Sequence, residues 1–91
     1  MSDLDEFRHQ IDDLDRQLVD LVGRRYEICR QVAELKRTQG IPMMQSGRVE
    51  QVKARVAELG ARRGVNPDLL RQLYALIIGE ACRLEDEIID A

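Results

Sequence analysis

Residues Asp20 to Lys36 read DLVGRRYEICRQVAELK, and they place an arginine where the surrounding pattern calls for an apolar side chain. From the N-terminus onward, apolar residues recur at steps of three and four, as one face of a continuous helix requires. These residues are Leu4, Phe7, Ile11, Leu14, Leu18, Leu21, Ile28, Val32 and Leu35. The gap in this apolar seam falls at Arg25. A guanidinium in such a seam loses much of its water, which is costly unless an anion neutralises it. We therefore expect an anion at Arg25, from this chain, from another chain or from a ligand.

The composition limits the classes of protein to which the chain can belong. Its 91 residues are 44% hydrophobic, 34% charged and 3% aromatic, with a net charge of −3, which is typical of one small soluble helical domain, residues 1–91. The negative charge and the lack of a basic tract argue against nucleic-acid binding. No apolar run approaches membrane-spanning length and no signal-peptide pattern is present, so we expect a cytoplasmic protein without membrane association. Cys29 and Cys82 lack a CxxC motif, which predicts two free thiols rather than a disulfide or a metal site.

The first predicted helix is too long for a small globule. It begins near Ser2 or Asp3, either of which can cap it. It runs to about Thr38, because Gly40 and Pro42 follow. At 1.5 Å per residue, about 36 residues make a rod of roughly 54 Å, whereas a compact chain of this length measures roughly 30 Å across. The rest of the chain cannot cover such a rod. We therefore predict an obligate, intertwined homodimer in which the long helices of two copies pair.

Two shorter helices follow the long one. The second is predicted to be capped by Ser46 and to end between Gly60 and Gly64. The third has Asn66 as its cap and Pro67 at its first position, and it continues to the C-terminus with the same three-and-four spacing. No alternating strand pattern is present in the sequence. The predicted fold class is all-α, with three helices per chain.

Several cations can converge on one site in such a dimer. Arg25 and Lys36 are 11 residues apart, close to three full turns, so their side chains share one side of the first helix. Arg8 lies roughly 25 Å before Arg25 along the helix, so it can reach the site of a partner chain but not that of its own. Arg48, in the first turn of the second helix, can close over the same place. Two cations on one side, the first inside an apolar seam, favour a small dianionic ligand.

A structural role for Arg25 is the alternative. It could fix the register of two long helices by pairing with a buried carboxylate such as Asp15 of the other chain, as in a non-catalytic dimerisation or regulatory module. The remaining arginines are expected on solvated helix faces. They are Arg16, Arg24, Arg30, Arg37, Arg55, Arg62, Arg63, Arg71 and Arg83. The sequence contains no nucleophile–base pair, phosphate loop or metal cluster. A polycationic pocket without these groups suits a reaction that needs orientation and charge stabilisation rather than covalent chemistry.

Four segments carry a family resemblance: FRHQIDDLDRQLVDLVGRR, AELKR, IP with GRV, and LLRQLYALIIGEA. Together they resemble the all-helical class of chorismate mutases over nearly the whole chain. The resemblance implies an intertwined homodimer with two active sites that rearranges chorismate to prephenate without a cofactor. By family position, Arg25, Lys36 and Arg48 come from one chain and Arg8 from its partner.

The resemblance also implies a role for each cation. Arginine forks hold the two carboxylates of the substrate and fix its folded conformer. Negative charge grows on the ether oxygen as the C–O bond breaks, and an ammonium there stabilises the transition state more than the ground state. Lys36 takes that catalytic role, with Arg25 beside it.

Several positions depart from the usual pattern of the class. The acidic residues that hold the ring hydroxyl are replaced by Gln45 and Val49, and the serine and glutamine of the last helix by Ala81 and Glu85. We expect all four at the substrate site. Glu85 falls near the ether oxygen, where a protonated carboxyl can donate a hydrogen bond and an ionised one repels the growing charge. The alternative is that Glu85 only neutralises Lys36 or an arginine.

These residues rank the candidate substrates but do not identify one. Chorismate is the first candidate. The GRV segment also resembles isochorismate-pyruvate lyases, and the IPMMQ and LEDEII segments resemble mutases of 4-amino-4-deoxychorismate in secondary metabolism. An amino substrate favours a nearby carboxylate, which Glu50 or Glu80 could supply if the backbone shifts.

Overall fold

Three α-helices make up the part of the chain that the structure, a computed structural model, describes: residues 2–43, 45 and 47–90. They are α1 (Asp3–Gln39), α2 (Arg48–Arg62) and α3 (Pro67–Ile89). The described residues contain no strand, so the all-α prediction is confirmed. None of these helices is long and apolar enough to cross a membrane.

Local signals set the ends of the helices. The Ser2 hydroxyl accepts a hydrogen bond from the Asp5 amide at 3.2 Å, so Ser2 rather than Asp3 caps α1. The Asn66 side chain accepts one from the Asp68 amide at 2.9 Å, which confirms the predicted cap of α3. Gly40 ends α1 in the left-handed conformation, with φ of 66°, which glycine adopts at little cost. The predicted cap Ser46 lies outside the described residues, and α2 follows Gly47, which forms no side-chain cap.

The third helix holds the other two in place. It packs closely against both α1 and α2, whereas no Cα atom of α1 lies within 8 Å of a Cα atom of α2 among the described residues. The Tyr26 hydroxyl adds a hydrogen bond from α1 to the Ile77 carbonyl in α3, at 3.2 Å. The buried apolar residues are all small: Ala33, Val52, Val56, Ala57 and Ala81. A cleft therefore remains between α1 and α2, with α3 as its floor.

The long helix extends far beyond this core. Helix α1 has 37 residues, and the chain measures 57 Å along its longest axis. Its radius of gyration is 16.7 Å, compared with about 12 Å for a compact domain of this length. The nine apolar residues of the seam in α1 are 39–61% exposed in the single chain. The rod predicted from the sequence is present, and its apolar seam faces solvent in the isolated chain.

Candidate active site

A cavity of about 420 Å³ lies in the cleft between α1 and α2. All three helices and the loop before α2 contribute to its walls. Seven of the eight residues that the sequence singles out for the site line it: Arg25, Lys36, Gln45, Arg48, Val49, Ala81 and Glu85. The structure thus brings together side chains that are up to 60 positions apart in the sequence.

Lys36 lies at the inner end of this cavity, in the last turn of α1. Its ammonium donates to the Glu85 carboxylate at 3.0 Å and to the Met43 carbonyl at 2.6 Å. The Lys36 and Glu85 side chains are only 13% and 11% exposed. Because a buried charge is costly without partners, these two acceptors fix the position of the ammonium. Glu85 is the ion-pair partner of Lys36, and the Met43 carbonyl is a contact that no side-chain pattern could predict.

Arg25 is half-buried at the other side of the cavity. Its guanidinium carbon lies 5.6 Å from the centroid of the Tyr74 ring, a cation–π geometry. One of its nitrogens lies 3.9 Å from the Cys29 sulfur. Among the described residues, no carboxylate forms a salt bridge with Arg25. The described part of the chain therefore does not supply the anion that is expected at this seam position.

Two arginines of α2 complete the positive lining. Arg48 lies in the first turn and donates to the Gln51 side chain at 2.9 Å. Arg55, which was expected on a solvated face, is exposed but also lines the cavity. The sequence contained a signal for this, because Arg55 follows Arg48 by seven positions and that spacing places both side chains on one face of a helix. The lining carries four cationic side chains and one carboxylate, a formal charge of +3. The cations are Arg25, Lys36, Arg48 and Arg55.

Three other charged residues that the sequence singles out lie outside the cavity. Arg8 lies near the start of α1, 3.8 Å from Asp5, and both side chains are exposed. Its place on the rod agrees with the expectation that it cannot reach the site of its own chain. Glu50 pairs with Lys53 at 3.8 Å, and Glu80 pairs with Arg83. Neither glutamate offers a carboxylate to a ligand in this cavity.

The two cysteines are free, as predicted, and both line the cavity. Burial raises the pKa of the Cys82 thiol, and the charges of Glu85 and Asp86 raise it further. This thiol therefore stays protonated near neutral pH and is a poor nucleophile. The described residues contain no cluster of side chains that could hold a metal ion.

The arrangement can bind and orient an anion but lacks an activated nucleophile among the described residues that line it. Its guanidinium groups suit carboxylates, which they can hold through two parallel hydrogen bonds. Its buried ammonium can stabilise negative charge that develops on a bound oxygen. The cavity is thus suited to a reaction within one bound dianion.

Comparisons with known proteins agree with this chemistry. The family model for chorismate mutase type II matches residues 7–86. A 4-amino-4-deoxychorismate mutase of Streptomyces pristinaespiralis is 46% identical over 84 residues, which are 92% of this chain and 65% of that protein. A protein of the same name from Streptomyces venezuelae is 42% identical, over 93% of this chain and 82% of that protein. The chorismate mutase of Methanocaldococcus jannaschii is 24% identical, over 96% of this chain and 88% of that protein. The chain thus spans slightly less than two thirds of the S. pristinaespiralis protein.

Proposed function

The chain belongs to the chorismate mutase type II family, and from this we propose that it is an isomerase that rearranges 4-amino-4-deoxychorismate in preference to chorismate. The observation that carries the reaction type is the cavity itself, in which Arg25, Arg48 and the buried Lys36 surround a space of about 420 Å³. The names of the two Streptomyces relatives support the choice of substrate.

In the proposed mechanism the arginines and the lysine have different roles. Arg25 and Arg48 bind the substrate's carboxylates and hold its enolpyruvyl arm over the ring, which removes the entropy cost of finding the reactive conformer. Lys36 faces the ether oxygen and stabilises the charge that grows there as the C–O bond breaks. Gln45, Val49 and Ala81 line the ring, and Glu85 holds Lys36 in place.

The working unit of this proposal is an intertwined homodimer of single-domain chains, residues 1–91. The exposed seam of α1 supports it, because nine large apolar side chains in one row are costly in water. A partner helix laid along this seam would cover them. Arg8 of the partner subunit would then reach the cavity and add a further guanidinium to one of the two carboxylates.

The charge of the lining bears on how an amino substrate binds. Glu85 is the one carboxylate among the described lining residues, and Lys36 already holds it. A substrate ammonium would meet a net positive wall, so the amine binds in its uncharged form. Such an amine loses its proton between the roughly pH 8 of an α-amino group and the roughly pH 10 of a lysine.

A parallel assay with 4-amino-4-deoxychorismate, chorismate and isochorismate tests the proposal. We expect turnover of the first two by rearrangement, a higher kcat/KM for the amino substrate, and no release of pyruvate. The ratio of the two kcat/KM values should rise with pH until the free amine predominates. Arg25→Ala is the control for contaminating host enzymes, since it should lose both activities. Salicylate formation from isochorismate, or no turnover of any of the three, would contradict the proposal.

A further inference from the structure

The proposed function leaves one cation of the cavity without a role. Lys36 is neutralised by Glu85, Arg25 stacks on Tyr74, and Arg48 donates to Gln51. Arg55 lines the same cavity. It forms no hydrogen bond or salt bridge with any other described residue, although its neighbours on α2 include both a glutamine and a glutamate.

The partners that Arg55 could use on its own helix are already engaged. On a helix surface, side chains three and four positions apart are within reach of each other. Four positions before Arg55, Gln51 accepts a hydrogen bond from Arg48 at 2.9 Å. Three positions after it, Glu58 accepts one from Arg62 at 2.6 Å. The guanidinium of Arg55 is therefore available to an anion that comes from outside the helix.

The helix geometry directs this guanidinium along the cavity. Arg55 follows Arg48 by seven positions, which corresponds to about 20° around α2 and about 10 Å along it. Val52, between them, is 3% exposed and also lines the cavity. The face of α2 that carries both arginines is therefore the face that closes the site. Arg55, like Arg48, is exposed, whereas Arg25 is half-buried and the Lys36 side chain is only 13% exposed, so Arg55 lies at the mouth of the cavity.

We propose that Arg55 is a further substrate-binding residue, which captures a carboxylate of the dianion at the cavity mouth. This inference rests on the proposed function, since it assigns a role in the same site. A positive charge at the mouth raises the local concentration of a dianion and speeds its entry, and dissolved salt screens this attraction. Lys36, not Arg55, faces the ether oxygen. Arg55 therefore contributes to the capture of the substrate more than to the chemical step.

Arg55→Gln tests the proposal, with Arg63→Gln as the matched control. Both changes remove one positive charge from an exposed arginine of the same region, but Arg63 does not line the cavity. At low ionic strength we expect Arg55→Gln to raise KM about tenfold, or about 1.4 kcal/mol, with kcat within a factor of about two. Arg63→Gln should keep both constants near wild type. The difference in KM should shrink as salt is added, and Arg55→Lys should recover the salt-dependent part.

Two results would overturn the inference. One is a KM for Arg55→Gln equal to that of Arg63→Gln at low salt. The other is a loss confined to kcat, which would mean that Arg55 acts on the chemical step and not on capture. In either case wild-type turnover, and its loss in Arg25→Ala, would stand. Failure of the proposed function is different, because it removes wild-type turnover itself.

Discussion

Arg25 carries a positive charge in an apolar seam and has no carboxylate partner among the described residues. Its polar contacts with described residues of the chain are with the Tyr74 ring and the Cys29 sulfur. These offset part of the cost of removing a guanidinium from water, but they do not neutralise its charge. A substrate carboxylate or a carboxylate of a second chain could neutralise it.

Arg25→Met separates these two possibilities, because it replaces the cation with an apolar side chain of similar length. If Arg25 binds substrate, kcat/KM should fall by roughly a thousandfold, or about 4 kcal/mol. The thermal midpoint should stay level or rise, since a costly partly buried charge is gone. Steady-state kinetics and thermal denaturation on the same preparation measure both effects.

The neighbouring Arg24 provides the control for this experiment. It is exposed and lies 3.9 Å from Asp20, so Arg24→Met removes the same charge outside the cavity. We expect near-wild-type kinetics from it. Full activity in Arg25→Met, together with a marked loss of stability, would instead favour the structural role.

Glu85 is the second residue whose role a substitution can resolve. Its carboxylate accepts a hydrogen bond from the Lys36 ammonium at 3.0 Å. Glu85→Gln keeps an oxygen for Lys36 and adds an N–H donor, which favours negative charge that develops on a nearby oxygen. We expect this substitution to keep or raise kcat near neutral pH.

The control is Glu80→Gln, the same change on α3 outside the cavity. It should keep the wild-type kcat. A large loss of kcat in Glu85→Gln alone would contradict this expectation and would mean that the reaction needs the negative charge of Glu85 beside Lys36.

At the scale of the helices, the contact between α2 and α3 depends on Gly60. A Cβ atom there would meet a Leu70 methyl carbon well inside van der Waals contact and would lie 3.5 Å from the Val65 Cβ. Gly60→Ala therefore forces Leu70 to move, at a cost of about 1–3 kcal/mol for overpacking. The better helix propensity of alanine returns at most about 1 kcal/mol. We expect net destabilisation by about 1 kcal/mol in chemical denaturation.

Gly23→Ala is the matched control for helix propensity. Gly23 is in the middle of α1, and a Cβ atom added to it would have no neighbouring atom within 4 Å. Alanine there should stabilise the protein by up to about 1 kcal/mol. Equal gains from both substitutions would contradict the close approach of α2 and α3.

The sequence predicted the helices well because their signals are local. Each helix end is set within one turn, by the caps Ser2 and Asn66 and by Gly40 after α1. The three-and-four spacing of apolar residues likewise involves only neighbouring turns of the same helix. The cavity depends instead on how helices cross. Spacing placed Arg25 and Lys36 on one side of α1 but left Arg55 on a solvated face, because the direction of α2 relative to α1 is not a local property.

At the scale of the whole molecule, the large apolar side chains of the single chain lie mostly on its surface. Its buried apolar residues are alanines and valines, whereas the larger side chains of the α1 seam face solvent. Burial of these side chains against a second copy would stabilise the fold through the hydrophobic effect. We predict two chains per particle at micromolar concentration by size exclusion with light scattering. A folded monomer under those conditions would contradict both the dimer and the shared site.

A mixing experiment tests whether the partner subunit completes the site. Arg8→Ala dimers and Arg25→Ala dimers should each be nearly inactive, because every site in them lacks one arginine. After random subunit exchange, half of the dimers are heterodimers, and each heterodimer holds one intact site and one site that lacks both arginines. An equal mixture should therefore recover about a quarter of wild-type activity.

Mixing Arg25→Ala with Lys36→Ala should recover none, because both residues belong to the same chain's part of the site. No recovery with Arg8→Ala, when mass spectrometry shows that subunits have exchanged, would contradict the assignment of Arg8 to the partner's site.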